Sequence, residues 1–88
     1  MIEDWGNLIV VKAPCPGVVW RIAEKEGRHL SEGDNLKEGE EIMNIEFMKM
    51  FFPILAPIEC RIVKLLVMEG KSVKEGEVLV VLEKLKRE

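Results

Sequence analysis

Two nine-residue stretches, Glu32-Gly33-Asp34-Asn35-Leu36-Lys37-Glu38-Gly39-Glu40 and Glu69-Gly70-Lys71-Ser72-Val73-Lys74-Glu75-Gly76-Glu77, coincide at Glu, Gly, Lys, Glu, Gly and Glu when aligned. Leu36 then stands over Val73, and the match continues through Ile42 and Leu79, Ile45 and Leu82, Glu46 and Glu83, at an offset of 37. A chain of 88 residues has room for one domain, so copies this short are halves of it. Neither half can bury an apolar face alone, and the two must close on each other.

A second pair, Ala13-Pro14 and Ala56-Pro57, repeats at an offset of 43. The first copy therefore holds six more residues than the second. The half-repeats run over about 13–46 and 56–83, with the insertion inside about 21–31. Glu26-Gly27 falls in that insertion and is a decoy of the repeated Glu-Gly turn. The connection from Phe47 to Leu55 contains Lys49.

Short β-rich runs fill both halves: Leu8-Ile9-Val10-Val11, Ile62-Val63-Lys64-Leu65-Leu66-Val67 and Val78-Leu79-Val80-Val81-Leu82. Gly17, Gly33, Gly39, Gly70 and Gly76 punctuate them, where turns call for positive φ. No segment sustains a 3.6-residue period, and Glu83 to Glu88 reads as a turn of helix or a charged tail. The expected fold is all-β, a small sandwich or flattened barrel. A net charge of −3 without a basic stripe excludes a nucleic-acid binder. No run approaches the length of a membrane span, and the acidic start lacks a signal pattern, so a cytosolic protein is expected. Cys15 and Cys60 are too far apart for a metal or redox motif, and His29 is a lone loop residue. No metal site is expected.

A reversal between the halves puts Lys49 at or near a hairpin tip, its ammonium projecting on a flexible stem. Met48, Met50, Phe51 and Phe52 surround that charge where turn chemistry favours Gly, Asn and Asp. Exposed apolar side chains here point to a docking surface, and methionine suits one that meets several partners. A bare Met-Lys-Met is usually core flanking a surface charge; its position between two matching halves reverses that reading.

These residues resemble the biotinyl domain of biotin-dependent carboxylases, the biotin carboxyl carrier family. Ala13-Pro14-Cys15-Pro16-Gly17 matches its opening Ala-Pro-x-Pro-Gly, and Glu32-Gly33-Asp34 with Gly39 matches its Glu-Gly turn. Glu46-Phe47-Met48-Lys49-Met50 matches Glu-Ala-Met-Lys-Met, with Phe47 in place of the small alanine, and Ala56-Pro57 follows. Phe51-Phe52 replaces polar residues, and Cys60 replaces a turn glycine, so that turn needs another backbone conformation.

The resemblance covers about residues 10–83 and takes the whole chain, 1–88, as one biotinyl domain. It implies a barrel-sandwich hybrid of two four-stranded antiparallel sheets with an internal pseudo-two-fold. Lys49 would be biotinylated, with Glu46, Phe47, Met48 and Met50 as flanking recognition residues. Biotin protein ligase, a biotin carboxylase and a carboxyltransferase acting on an acyl-CoA would be the partners. The domain itself would supply no catalytic residue. Carriers of the acetyl-CoA carboxylase type place a proline-richer "thumb" where this chain has Ile22 to Leu30; here a thumb and a plain surface loop are both open. A lipoyl domain of a 2-oxo-acid dehydrogenase or glycine-cleavage system is the alternative, though Asp-Lys-Ala is usual there. An unmodified barrel-sandwich adaptor normally lacks the lysine. Lys86, the offset counterpart of Lys49, has no returning strand to present it and is expected to stay unmodified.

Overall fold

The computed structural model describes residues 1–85; Lys86 lies outside them. Among the described residues eleven strands carry the fold: β1 (Ile2–Trp5), β2 (Leu8–Lys12), β3 (Gly17–Ile22), β4 (Glu24–Lys25), β5 (Arg28–His29), β6 (Asn35–Leu36), β7 (Glu41–Phe47), β8 (Met50–Leu55), β9 (Cys60–Leu65), β10 (Ser72–Val73) and β11 (Val78–Lys84). One sheet has the order β1-β2-β11-β9-β6, the other β10-β3-β7-β8, and β4-β5 stands apart as a hairpin. All pairings are antiparallel. Ile42, Ile45, Ile62, Leu79 and Leu82 fill the space between the two large sheets.

The duplication reappears as hydrogen-bond register. In the four-stranded sheet Val18 faces Glu46, Val19 faces Ile45 and Arg21 faces Asn44. In the other, Arg61 faces Glu83, Ile62 faces Leu82 and Lys64 faces Val81. Both ladders carry a bulge at the same place, leaving Trp20 in one and Val63 in the other without an opposite number. The same two offsets, 43 and 37, relate every one of these pairs.

Each half also lends a short strand to the other. β6 pairs with β9, and β10 pairs with β3. Equivalent bonds fasten both exchanges: Gly33 N–H donates to the Ile62 carbonyl at 2.8 Å, and Gly70 N–H to the Val19 carbonyl at 2.7 Å. The repeated glutamates brace the same joints. Glu69 Oε2 accepts from Ile22 N–H at 3.0 Å, and Glu32 Oε2 from Leu65 N–H at 3.3 Å. Positive φ at Gly33 and Gly70, 95° and 88°, lets each glutamate's turn reach across.

Four features depart from the sequence reading. β1 makes a fifth strand of one sheet, folding back on β2 through the two-residue turn Gly6-Asn7. Gly17 does not have positive φ; a Cβ there would lie 2.4 Å from the Glu46 carbonyl oxygen, so it is needed for close approach. Its counterpart Cys60 opens β9 rather than a turn, with an ordinary backbone and a wholly buried side chain. That burial pushes its thiol pKa up. Lastly, the inserted residues form a hairpin closed by Glu26 (φ 56°) and Gly27 (φ 78°).

β1 covers the outer edge of β2, while β8, the counterpart of β2, has no strand on its outer edge among the described residues. Lys12 N–H donates to the Met1 carbonyl at 2.7 Å, toward β1. N–H groups alternate sides along an antiparallel strand, so Val10 faces β1 as well. The residue matching Val10 in β8 is Pro53. Proline thus removes the central donor from the bare edge, which protects it from unwanted pairing.

Three outcomes are expected. Gly17→Ala should cost about 2 kcal/mol through overpacking, lowering Tm by on the order of 10 °C in thermal melts. Pro53→Val should restore the missing donor and give larger species than wild type in analytical ultracentrifugation. The third concerns the insertion, which Arg28 ties down through bonds of 2.8 and 2.7 Å to Asp34, while Ser31 N–H donates to the same carboxylate at 2.9 Å. These bonds hold the Asp34 carboxyl well below the usual carboxylate range. Its contribution is therefore present above the unfolded-state value and lost only as pH falls through the lowered one. Asp34→Asn should speed Ser31 amide exchange roughly tenfold at neutral pH, whereas the wild-type amide should stay protected at pH 4.

Candidate functional site

β7 and β8 are joined by two residues, Met48 and Lys49, with Phe47 facing Met50 across the ladder. Both turn residues have positive φ, 54° and 63°. That is the pattern of a type I′ turn, which suits the right-handed twist of the strands and normally takes Asn-Gly. An L side chain in this conformation costs on the order of 1 kcal/mol. Two adjacent residues bear that cost here, and the surrounding ladder enforces it. Such strain persists where structure over-determines it, often at a functional group.

The turn holds Lys49 in solvent, and among the described residues no hydrogen bond or ion pair engages its ammonium. Met48 is 77% exposed and Met50 61%. Phe47 is exposed at the end of β7, on the side of the strand that also carries Ile45. Glu46 points the other way, half-buried on the outer face, opposite Val18 on one side and Phe51 on the other. Phe52, expected among the exposed residues, faces Ile45 instead and packs on the core. The hairpin therefore brings Glu46, Phe47, Met48, Lys49 and Met50 together, with Phe51 outward and Phe52 inward.

One residue escaped the sequence reading. Trp20, at the bulge in β3, lies with its ring edge-on to that of Phe51, centroids 5.6 Å apart. It is 56% exposed. Its signal was strand alternation about the inward Val19, which sends Val18 and Trp20 outward together; the bulge adds Arg21 to that side before Ile22 turns in.

The inserted hairpin stays away from the lysine. Ala23 N–H donates to the Ile42 carbonyl at 2.9 Å, five residues along β7 from Phe47 and so about 17 Å from the turn. Lys25 Nζ donates to the Asn35 carbonyl at 2.6 Å, Arg28 pairs with Asp34, and His29 Nδ1 lies 3.5 Å from Glu69. These contacts clamp it to the exchanged strands and the braces. Among the described residues no cluster of His, Cys, Asp or Glu could hold a metal ion.

A covalent modifier would fit an unpartnered amine held clear of the body, and the comparisons with known proteins bear on which. The chain is 31% identical over 71 residues to a biotin/lipoyl attachment protein of Bacillus subtilis, covering 81% of this chain and 89% of that one. It is 30% identical over 82 residues to acetyl-CoA carboxylase of Schizosaccharomyces pombe, covering 93% of this chain but 3% of that protein's length. The structure of a single-chain, multi-domain long-chain acyl-CoA carboxylase superposes with a TM-score of 0.78 at 27% identity, over 97% of this chain and 8% of that one. The family described as biotin-requiring enzyme, the biotin/lipoyl family, matches residues 9–82, and this chain belongs to it.

Proposed function

We propose that Lys49 carries biotin in amide linkage and that the domain ferries a carboxyl group from a biotin carboxylase to a carboxyltransferase acting on an acyl-CoA. The observation that carries this reading is the strained, exposed Lys49 turn at the connection between two matching halves, in a chain of this family. The likeness to acetyl-CoA and long-chain acyl-CoA carboxylases supports the acceptor class.

A lysine ammonium has no lone pair, so a partner must remove its proton before an acyl group can be transferred to it. A biotin protein ligase is the proposed partner for that step. The chain contributes presentation: the turn fixes the Cα of Lys49 and leaves the stem free to sweep. Met48, Met50 and Phe47 offer adaptable apolar contacts on either side of the amine. Amide formation removes the local positive charge, which eases entry of the arm into a partner's site. Bound biotin supplies a ureido nitrogen that takes up and releases the carboxyl group; the enzymes at either end would do the chemistry. Tethering raises the arm's effective concentration at each partner, toward millimolar for a short flexible linkage. The thiols of Cys15 and Cys60, both free, suit the reducing cytosol proposed as its location.

Intact mass after incubation with a biotin protein ligase, biotin and ATP should rise by one biotin increment. Lys49→Gly should abolish the increment and, by relieving the left-handed turn, raise stability by about 1 kcal/mol. Peptide mapping should leave Lys86 unmodified. A lipoyl increment from a lipoate ligase, with none from biotin ligases, would replace biotin by lipoate in this reading.

A further inference from the structure

The two sheets carry matching positions on their outer faces, so each serves as a control for the other. On the five-stranded sheet, away from Lys49, Arg61 pairs with Glu83, which also accepts from Asn7 at 3.3 Å. Lys12 pairs with Glu3, and Lys84 with Asp4. That face mixes these charges with the exposed Leu8 and Val63, and its central carboxylate is taken.

On the sheet that presents Lys49, the two positions that match the cations Arg61 and Lys12 are apolar, while Arg21 and Asn44 face each other farther from the turn. Val18 stands for Arg61, Trp20 for Val63, Phe51 for Leu8 and Leu55 for Lys12, while Glu46 stands for Glu83. Glu46 has thus kept its place and lost its cation. Among the described residues no hydrogen bond or ion pair engages it. The Trp20–Phe51 ring contact spans β7, the strand that bears Glu46. The result is an exposed aromatic shelf with one free carboxylate in it. Its near edge, Phe51, is two residues from Lys49, about 7 Å along the strand.

A second copy of the chain is a poor occupant, because a two-fold contact would set Glu46 against Glu46 and Pro53 blocks pairing through the edge. An occupant needs an apolar ring that bears N–H donors and a tether that reaches from Lys49. We infer that this shelf is the resting site of the domain's own biotinyl arm, an inference that rests on biotinylation of Lys49. The bicyclic ring lies on Trp20 and Phe51, and its ureido N–H groups donate to Glu46. A lysyl stem extended by biotin's own chain spans the distance easily.

The arrangement also discriminates between states of the arm. Carboxylation replaces one ureido N–H with a negatively charged group and releases its proton. The ring then has one donor fewer, and Glu46 repels it. The unloaded arm is held and the loaded arm is let go.

The test uses the full chain with Trp5→Phe, so that emission reports Trp20 alone, before and after complete modification verified by intact mass. On biotinylation Trp20 emission should shift to the blue and its quenching by acrylamide should fall at least about twofold, equally at low and high protein concentration. Nuclear Overhauser contacts should join the biotin ring protons to the Trp20 indole. Phe51→Leu, which installs the residue of the other sheet, should halve the protection, and Glu46→Gln should weaken it. Full modification with unchanged quenching and no ring contacts would overturn the shelf while leaving the carrier reading intact. Protection that appears only on adding a biotin carboxylase, or only at high concentration, would overturn it in favour of a protein interface. Failure of the wild-type chain to gain any biotin would overturn the carrier reading itself.

Discussion

Gly39 N–H donates to the Ala56 carbonyl and Gly76 N–H to the Ala13 carbonyl, each at 2.8 Å. These bonds, with the Glu32 and Glu69 braces, join each half of the chain to the other. The exchange explains why halves of this size are stable together. Each supplies strand edges that the other would leave unsatisfied, and unsatisfied backbone groups are costly once buried. It also explains the position of the lysine. Closing the exchange leaves a single direct connection between the halves, and that connection has to be the β7–β8 hairpin.

The hairpin is rigid where it needs to be. Its ladder runs from Glu41–Leu55 to Phe47–Met50, and two left-handed residues finish it. A looser loop would avoid the cost of positive φ at Met48 and Lys49 but would let the amine wander. The rotatable bonds left to the amine are those of the lysine stem. The inserted hairpin, bound by Asp34 and Asn35, stiffens the far joint instead of approaching the lysine.

Much of this was legible in the sequence because duplication converts spacing into register. Offsets of 37 and 43 predict which residues are equivalent, and the paired ladders obey them down to the bulges. What stayed hidden depended on single contacts. Gly17 resembles a turn glycine, yet its role is set by the Glu46 carbonyl across the sheet. Phe51 and Phe52 are alike in sequence, and strand alternation alone sends one outward and the other to the core. β1 was announced only by Gly6-Asn7, a short hairpin signal beside an acidic start. Trp20 follows the same alternation beside inward Val19, but its ring contact with Phe51 across β7 is a tertiary contact that nothing in the residue string marks.

The exchange of strands has a consequence for the order of events in the cell. β11 is the interior strand joining β2 to β9, and β10 closes the edge of β3. Both follow the β7–β8 hairpin in sequence, so the most distant pairings form last and folding is governed by contacts of high sequence separation. The β7–β8 hairpin is local and complete much earlier during synthesis. The Lys49 turn is therefore complete before the sheets that hold its hairpin have closed.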